Sequence, residues 1–234
     1  MRFLPLLLAF FLLSCAVNSA VAPMNNPART APAVPVACLA LGDSYTIGEG
    51  ADEADRWPVQ LAGMAQQAGL GVQAPDFIAR TGWTTAELQA AIVASGNHRT
   101  DYGLVSLLIG VNNQYRGQSP ALYRTEFRQL LATAVQFAGG RPGRVVVLSI
   151  PDWGLSPFAH NRDATLIASQ IDEFNEVAQE ECRRARVAFV DITPTTRSAA
   201  GDASQFVKDG LHYAGPQMQR WAQQALPVVQ RLLK

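Results

Sequence analysis

Charge of one sign is the first thing this 234-residue sequence lacks: nineteen Lys and Arg residues balance nineteen Asp and Glu, and no Lys/Arg-rich run occurs. A protein that tracks a phosphate backbone needs clustered positive charge, so no nucleic-acid partner is expected. Cysteine and histidine are scarce, three of each, and none of them cluster at metal-ligand spacing, so no metal site is expected. No Gly-Lys-Ser/Thr follows the glycine turn at Gly42, which removes a phosphate-binding P-loop from consideration. No apolar run reaches the length of a membrane-spanning helix. Internal repeats are absent, and the one compositionally biased stretch is short and close to the N-terminus.

What is present is apolar mass, 48% of all residues, enough for one compact domain once the N-terminal segment is set aside. That segment, residues 1–22, reads as an export signal: Arg2 supplies a positive start, Phe3 to Leu13 form a short apolar run, and small residues follow. Within it, Leu12-Leu13-Ser14-Cys15 resembles a bacterial lipobox, in which cleavage before the cysteine frees a thiol for attachment of diacylglycerol. The competing reading is ordinary signal cleavage near Ala20 or Ala22. Either reading expects an exported protein: a lipoprotein of the bacterial cell envelope, or a soluble periplasmic or secreted one. Residues 23–35 are rich in Pro and Ala, and Pro23, Pro27, Pro32 and Pro35 prevent regular structure, so this stretch is read as a tether. Residues 36–234 form the expected catalytic domain.

In that domain short apolar runs alternate with longer amphipathic ones. Val36 to Leu41, Phe77 to Ala79, Leu104 to Ile109, Val145 to Ile150 and Val187 to Val190 have strand length and Val/Ile/Leu enrichment. Trp57 to Ala68, Thr85 to Val93, Pro120 to Ala138, Ala164 to Arg184 and Gln217 to Leu233 have helix length and period. Alternation of this kind predicts parallel βαβ units, assembled into a three-layer α/β/α sandwich around a five-stranded parallel sheet. Cys38 falls inside the first strand and Cys182 near the end of a helix, and the sequence leaves open whether they are bridged or separate thiols.

The unusual polar motifs all follow a strand or precede the last helix, where open α/β sheets bind ligands. Gly42-Asp43-Ser44 exposes a serine at the end of the first strand. A serine hydroxyl is a poor nucleophile until a neighbouring base accepts its proton. Of the three histidines, His212 lies in Asp209-Gly210-Leu211-His212, where a carboxylate three residues earlier can fold back to hold the ring. His98 and His160 sit in polar connections without so well placed an acid, and are read as surface residues. Two loops offer oxyanion donors: Arg80-Thr81-Gly82-Trp83-Thr84 through the Gly82 backbone amide, and Ile109-Gly110-Val111-Asn112-Asn113 through the Asn112 side chain. Ser95-Gly96-Asn97-His98 is a decoy, because adjacent residues on one turn cannot surround a single carbonyl. Trp57, Trp83, Tyr115, Trp153 and Phe158 lie near these connections and are candidate pocket walls.

Together the four blocks resemble those of the SGNH hydrolase superfamily, the GDSL lipases and esterases, over the whole span from Val36 to Lys234. The resemblance implies a flavodoxin-like sheet, with Ser44 as nucleophile, His212 as base, Asp209 as the acid holding it, and Ser44, Gly82 and Asn112 as the oxyanion hole. It implies hydrolysis of carboxylic (acyl) esters through an acyl-enzyme, with no cofactor, in a monomer acting on a small-molecule, lipid or glycan ester. One departure stands out: the family's Gly-x-Asn-Asp reads Gly110-Val111-Asn112-Asn113 here, which puts in question the hydrogen bonding usually supplied by the aspartate. Alternatives with the same residues are acyl transfer to a sugar hydroxyl and deacetylation of envelope glycans; an alternative of another class is a non-catalytic envelope binding protein.

Lipidation at Cys15 has a direct test. The Cys15→Ser variant is expected to leave the membrane fraction for the soluble one on cell fractionation, and unchanged fractionation would refute the lipid anchor.

Overall fold

The structure, a computed structural model, describes residues 34–234; the export-signal segment, Cys15 and nearly all of the tether lie outside the described residues. In chain order, β1 (Cys38–Gly42) leads through the four-residue α1 (Ser44–Ile47) to α2 (Trp57–Gln67). Then β2 (Asp76–Ala79) leads to α3 (Thr85–Ala94), and β3 (Leu104–Leu108) to the short α4 (Val111–Tyr115) and the long α5 (Pro120–Phe137). Next β4 (Val145–Leu148) leads to α6 (Ala164–Ala185), and β5 (Ala188–Val190) to the short α7 (Thr193–Arg197) and the closing α8 (Gly215–Leu233).

All four strand pairings are parallel and the order is β2-β1-β3-β4-β5. The helices α2 and α8 pack on each other, and α5 packs against both α3 and α6. Right-handed crossovers put these two groups on opposite faces, because the path reverses direction between β1→β2 and the later steps. The central strands β1, β3 and β4 are buried along their full length, which is why they read as nearly continuous apolar runs, with Ser106 the exception in β3. This is the three-layer sandwich that the alternating pattern predicts.

The long elements match the sequence reading to within a few residues. Strand β1 begins two residues later than the apolar run, since Val36 makes only an isolated bridge to Val72. The short helices α1, α4 and α7 have no counterpart in the periodicity, because four or five residues are too few to express a 3.6-residue repeat. Cys38 and Cys182 are separate, buried, free thiols. Burial pushes both up to about 12, with Asp76 adding to it for Cys38 and Glu181 for Cys182, so neither is a reactive thiolate.

The clamp between α5 and α6 is polar. The Glu181 side chain is only 2% exposed and receives Arg128 at 2.8 Å, Arg124 at 3.0 Å and Arg184 at 2.9 Å. Hydrogen bonding from Arg128 outweighs burial and, with the other arginines, pulls its carboxyl down to about 2. A carboxyl depressed in the folded state adds stability above its unfolded value, near 4.3, and loses it as pH falls toward its folded value. Glu181→Gln should therefore lower unfolding free energy at pH 7 by about 1 to 2 kcal/mol, discounted for the exposed arginines. In denaturant titrations the deficit should shrink steadily between pH 5 and pH 2.

Candidate active site

The site begins where β1 ends. A side chain on Gly42 would run into Thr46 Oγ1 at 2.1 Å and the Leu108 carbonyl at 2.3 Å, so only glycine lets α1 fold back across the end of β3. Thr46 closes that contact by donating to the Leu108 carbonyl at 3.4 Å. Asp43 caps α1, accepting from the Tyr45 backbone N–H at 3.0 Å. It is fully buried, and its second oxygen has no partner among the described residues. Burial, opposed by the bond from Tyr45, pushes this carboxyl up to about 7. Ser44 follows as the first residue of α1, 4% exposed.

The imidazole arrives from the other end of the chain. In the loop before α8, one oxygen of Asp209 accepts from the backbone N–H groups of Leu211 and His212 at 2.8 and 2.9 Å. The other takes the His212 Nδ1–H at 2.5 Å. Partial burial works against the Asp209 charge, yet the His212 ring and the two backbone donors hold the carboxyl below the usual aspartate value. With Nδ1 donating to a carboxylate, Nε2 is left as the acceptor, and it faces Ser44 Oγ at 2.9 Å. The Tyr45 ring packs 5.4 Å from the imidazole, centroid to centroid, and backs it.

Asn112 sits in the first turn of α4, beside the Ser44 pocket, and donates one amide proton to the Trp83 carbonyl at 2.9 Å. Its second amide proton remains available. The neighbouring turn carries Gly82 at φ +84°, a conformation that disfavours any side chain. Arg116 donates to the Gly82 carbonyl at 2.6 Å. The structure thus joins Ser44, His212 and Asp209 in one hydrogen-bonded row, with Asn112 lining the same hollow and the Gly82 turn tied to Asn112.

Asn113 answers the question raised by the missing aspartate. It is fully buried, accepts from the Thr85 backbone N–H at 3.1 Å, and donates to Thr85 Oγ1 at 2.6 Å and Gln118 Oε1 at 2.7 Å. The Glu126 carboxylate lies 3.4 Å from the same amide nitrogen and accepts from the Thr85 hydroxyl. A negative charge is therefore supplied by α5, and the amide suits a place beside it better than a second carboxylate would. The network holds the start of α3 to α4, and so links the loops that carry Gly82 and Asn112.

The hollow has a volume of about 180 Å³ and is walled by Tyr45, Val111, Tyr115, Trp153 and Leu211 around Ser44, Asn112 and His212. Trp153 is held by its ring N–H on Gln114 Oε1 at 2.8 Å, and Gln114 by Gln170 at 2.7 Å. Of the other aromatic candidates, Phe158 packs 6.3 Å from Trp153 at the surface. Trp57 is wholly buried in the core and is no pocket wall, while Trp83 contributes its carbonyl. His98 is exposed in a different hollow, between α3 and α5, and His160 is exposed beside Asn161 at 2.7 Å. Tyr45, Val111, Leu211 and Arg116 were not singled out from sequence; each adjoins a motif, but only the fold aims its side chain.

Fold and site define an α/β scaffold with a serine at the end of β1 and a histidine and aspartate in the loop before α8. The family model of the GDSL-like lipase/acylhydrolase family matches residues 40–216. The chain belongs to that family and is a hydrolase. Similar solved structures include a putative GDSL-like lipase from Parabacteroides merdae, at 16% identity and TM-score 0.68, covering 86% of this chain and 98% of that one. TesA matches at 20% identity and TM-score 0.65, covering 84% and 99%. The lipase/acylhydrolase from Enterococcus faecalis matches at 22% and 0.59, covering 84% and 95%. At these identities the likeness establishes a shared fold. No curated protein sequence matches the chain.

Asn113→Asp tests the compensation by Glu126. Two carboxylates would face each other in a buried site, so the variant is expected to lose about 1 to 3 kcal/mol of stability at pH 8. Adding Glu126→Gln to it should recover most of the loss. Equal melting temperatures for Asn113→Asp and the unaltered protein would remove this account.

Proposed function

We propose that the protein hydrolyses carboxylic (acyl) esters through a Ser44-His212-Asp209 triad and a covalent acyl-enzyme. The observation that carries this reading is the unbroken row from Ser44 Oγ to His212 Nε2 at 2.9 Å and from His212 Nδ1 to Asp209 at 2.5 Å. Ser44 Oγ attacks the ester carbonyl carbon while its proton passes to His212 Nε2. Asp209, kept ionised by its three donors, stabilises the imidazolium that forms.

The developing oxyanion is received by the backbone N–H groups of Ser44 and Gly82 and the free amide proton of Asn112; each such donor contributes roughly 2.7 to 4 kcal/mol to the transition state. His212 returns its proton to the departing alcohol, and an ester of Ser44 remains. Water, deprotonated by the same imidazole, then releases the acid. The hollow of about 180 Å³ favours a compact acyl group close to Ser44, and the half-exposed Tyr115 and Phe158 offer an apolar rim to the rest of the substrate. Export to the cell envelope is proposed on the N-terminal sequence pattern alone.

A fluorophosphonate probe should label the protein, and Ser44→Ala should abolish labelling and lower kcat on nitrophenyl acetate by on the order of 10⁴ or more. His212→Ala should lose activity comparably, whereas His98→Ala should retain most of it. Labelling that persists in Ser44→Ala, or equal losses in the two histidine variants, would defeat the assignment.

A further inference from the structure

Gly82 itself is short of packing. A side chain built on Gly82 would meet nothing within 4 Å except Arg116 Nη2 at 3.9 Å, and Thr81 is exposed. No acceptor takes the Gly82 backbone N–H among the described residues. A glycine at φ +84° in open space has soft torsions in both directions. The turn closes on itself through the Trp83 N–H on the Arg80 carbonyl at 3.3 Å, and Trp83 packs on the core, but no apolar contact reaches Gly82 itself, and hydrogen bonds to the groups on either side fix its direction further.

Those bonds come from the two loops with which the turn must act. On one side the Thr81 hydroxyl donates to Glu49, which follows the nucleophile helix α1. On the other, Arg116, the residue that ends α4, donates Nη2 to the Gly82 carbonyl at 2.6 Å and Nη1 to Glu87 at 3.2 Å. Glu87 closes the capping box of α3 with Thr84, the last residue of the same turn. Asn112, on α4 with Arg116, fixes the next carbonyl, that of Trp83. The planar guanidinium thus bridges the carbonyl of the turn and the cap of α3 with donors in fixed relation.

We propose that Arg116 is a positioning residue for the oxyanion hole: by pinning the Gly82 carbonyl and the α3 cap to α4, it aims the Gly82 N–H at the substrate oxygen beside Asn112. This rests on the reading of Gly82 as an oxyanion donor. The Arg116 and Glu87 side chains are 46% and 44% exposed, so their ion pair adds little to stability. What Arg116 supplies is alignment, which matters when charge develops on the carbonyl and much less when the substrate first binds.

The test is steady-state kinetics on nitrophenyl acetate with thermal melts, for Arg116→Ala, Arg116→Lys and Glu87→Gln. Arg116→Ala should lower kcat about ten- to a hundredfold, with KM within about twofold and a melting temperature close to that of the unaltered protein. Arg116→Lys should regain part of kcat, since an ammonium donates one bond to the same carbonyl. Millimolar guanidinium should partly restore Arg116→Ala and leave the unaltered protein unchanged. Glu87→Gln, which keeps a cap acceptor and the Gly82 contact, should stay within about threefold.

A kcat for Arg116→Ala equal to that of the unaltered protein would overturn the proposal, as would a loss confined to KM or one that follows a fall in melting temperature with no rescue by lysine or guanidinium. Failure of the triad reading looks different: the unaltered protein would then show no turnover or probe labelling that depends on Ser44.

Discussion

The hydrogen bond between Ser44 and His212 joins residues 168 positions apart, and most of the architecture serves to make it short. Ser44 is presented where β1 gives way to α1, and His212 where the chain enters α8. These two places meet only because α8 lies against α2 on one face of the sheet and because Gly42 lets the serine turn sit directly on the end of β3. The imidazole is then gripped on three sides, by Asp209, by Ser44 and by the Tyr45 ring. A ring so held has one orientation, which is the preorganisation that the proposed proton transfer from Ser44 requires.

Around that row the structure tolerates polar groups that a core built for stability alone would avoid. Asp43 is buried with one oxygen lacking a partner, directly before the serine. Asn113 and Thr85, both buried, form a polar knot with the partly buried Glu126 between α3, α4 and α5. Buried groups of this kind are costly unless satisfied. In the Asn113 knot nearly every donor and acceptor is used, and the result is a rigid link between the loops that carry Gly82 and Asn112. An asparagine in place of the family's aspartate becomes intelligible there: the Glu126 carboxylate on α5 already stands beside it, and the amide mediates between that group and the loop.

Much of the scaffold was legible in the residues because it rests on repeating patterns. Leu104 to Ile109 and Val145 to Ile150 are apolar apart from Ser106 and Ser149 since both faces of those strands are covered by helices, and their parallel pairing follows from the intervening helix-length segments. Ser44, Gly82, Asn112, Asp209 and His212 stood out because each falls at a strand end or a helix entry. The short helices α1, α4 and α7 did not show, being too brief for a period. Trp57 could be read as core or as pocket wall for the same reason that Tyr45 was passed over: an aromatic residue near a loop looks alike whether its ring faces the core or the cavity, and packing alone decides.

By itself the sequence determined the order of strands and helices, the parallel sheet, and the residue types available for chemistry at its edge, since these depend on local pattern and on the short reach of turns. Only the tertiary structure decided which groups touch. The 2.9 Å approach of Ser44 to His212, the clasp of Arg116 on the Gly82 carbonyl and the bond from Asn113 to Thr85 all bring together groups from different βα units. Contacts of that kind are set by how helices pack across a sheet, a property of the whole fold that no single stretch of sequence encodes.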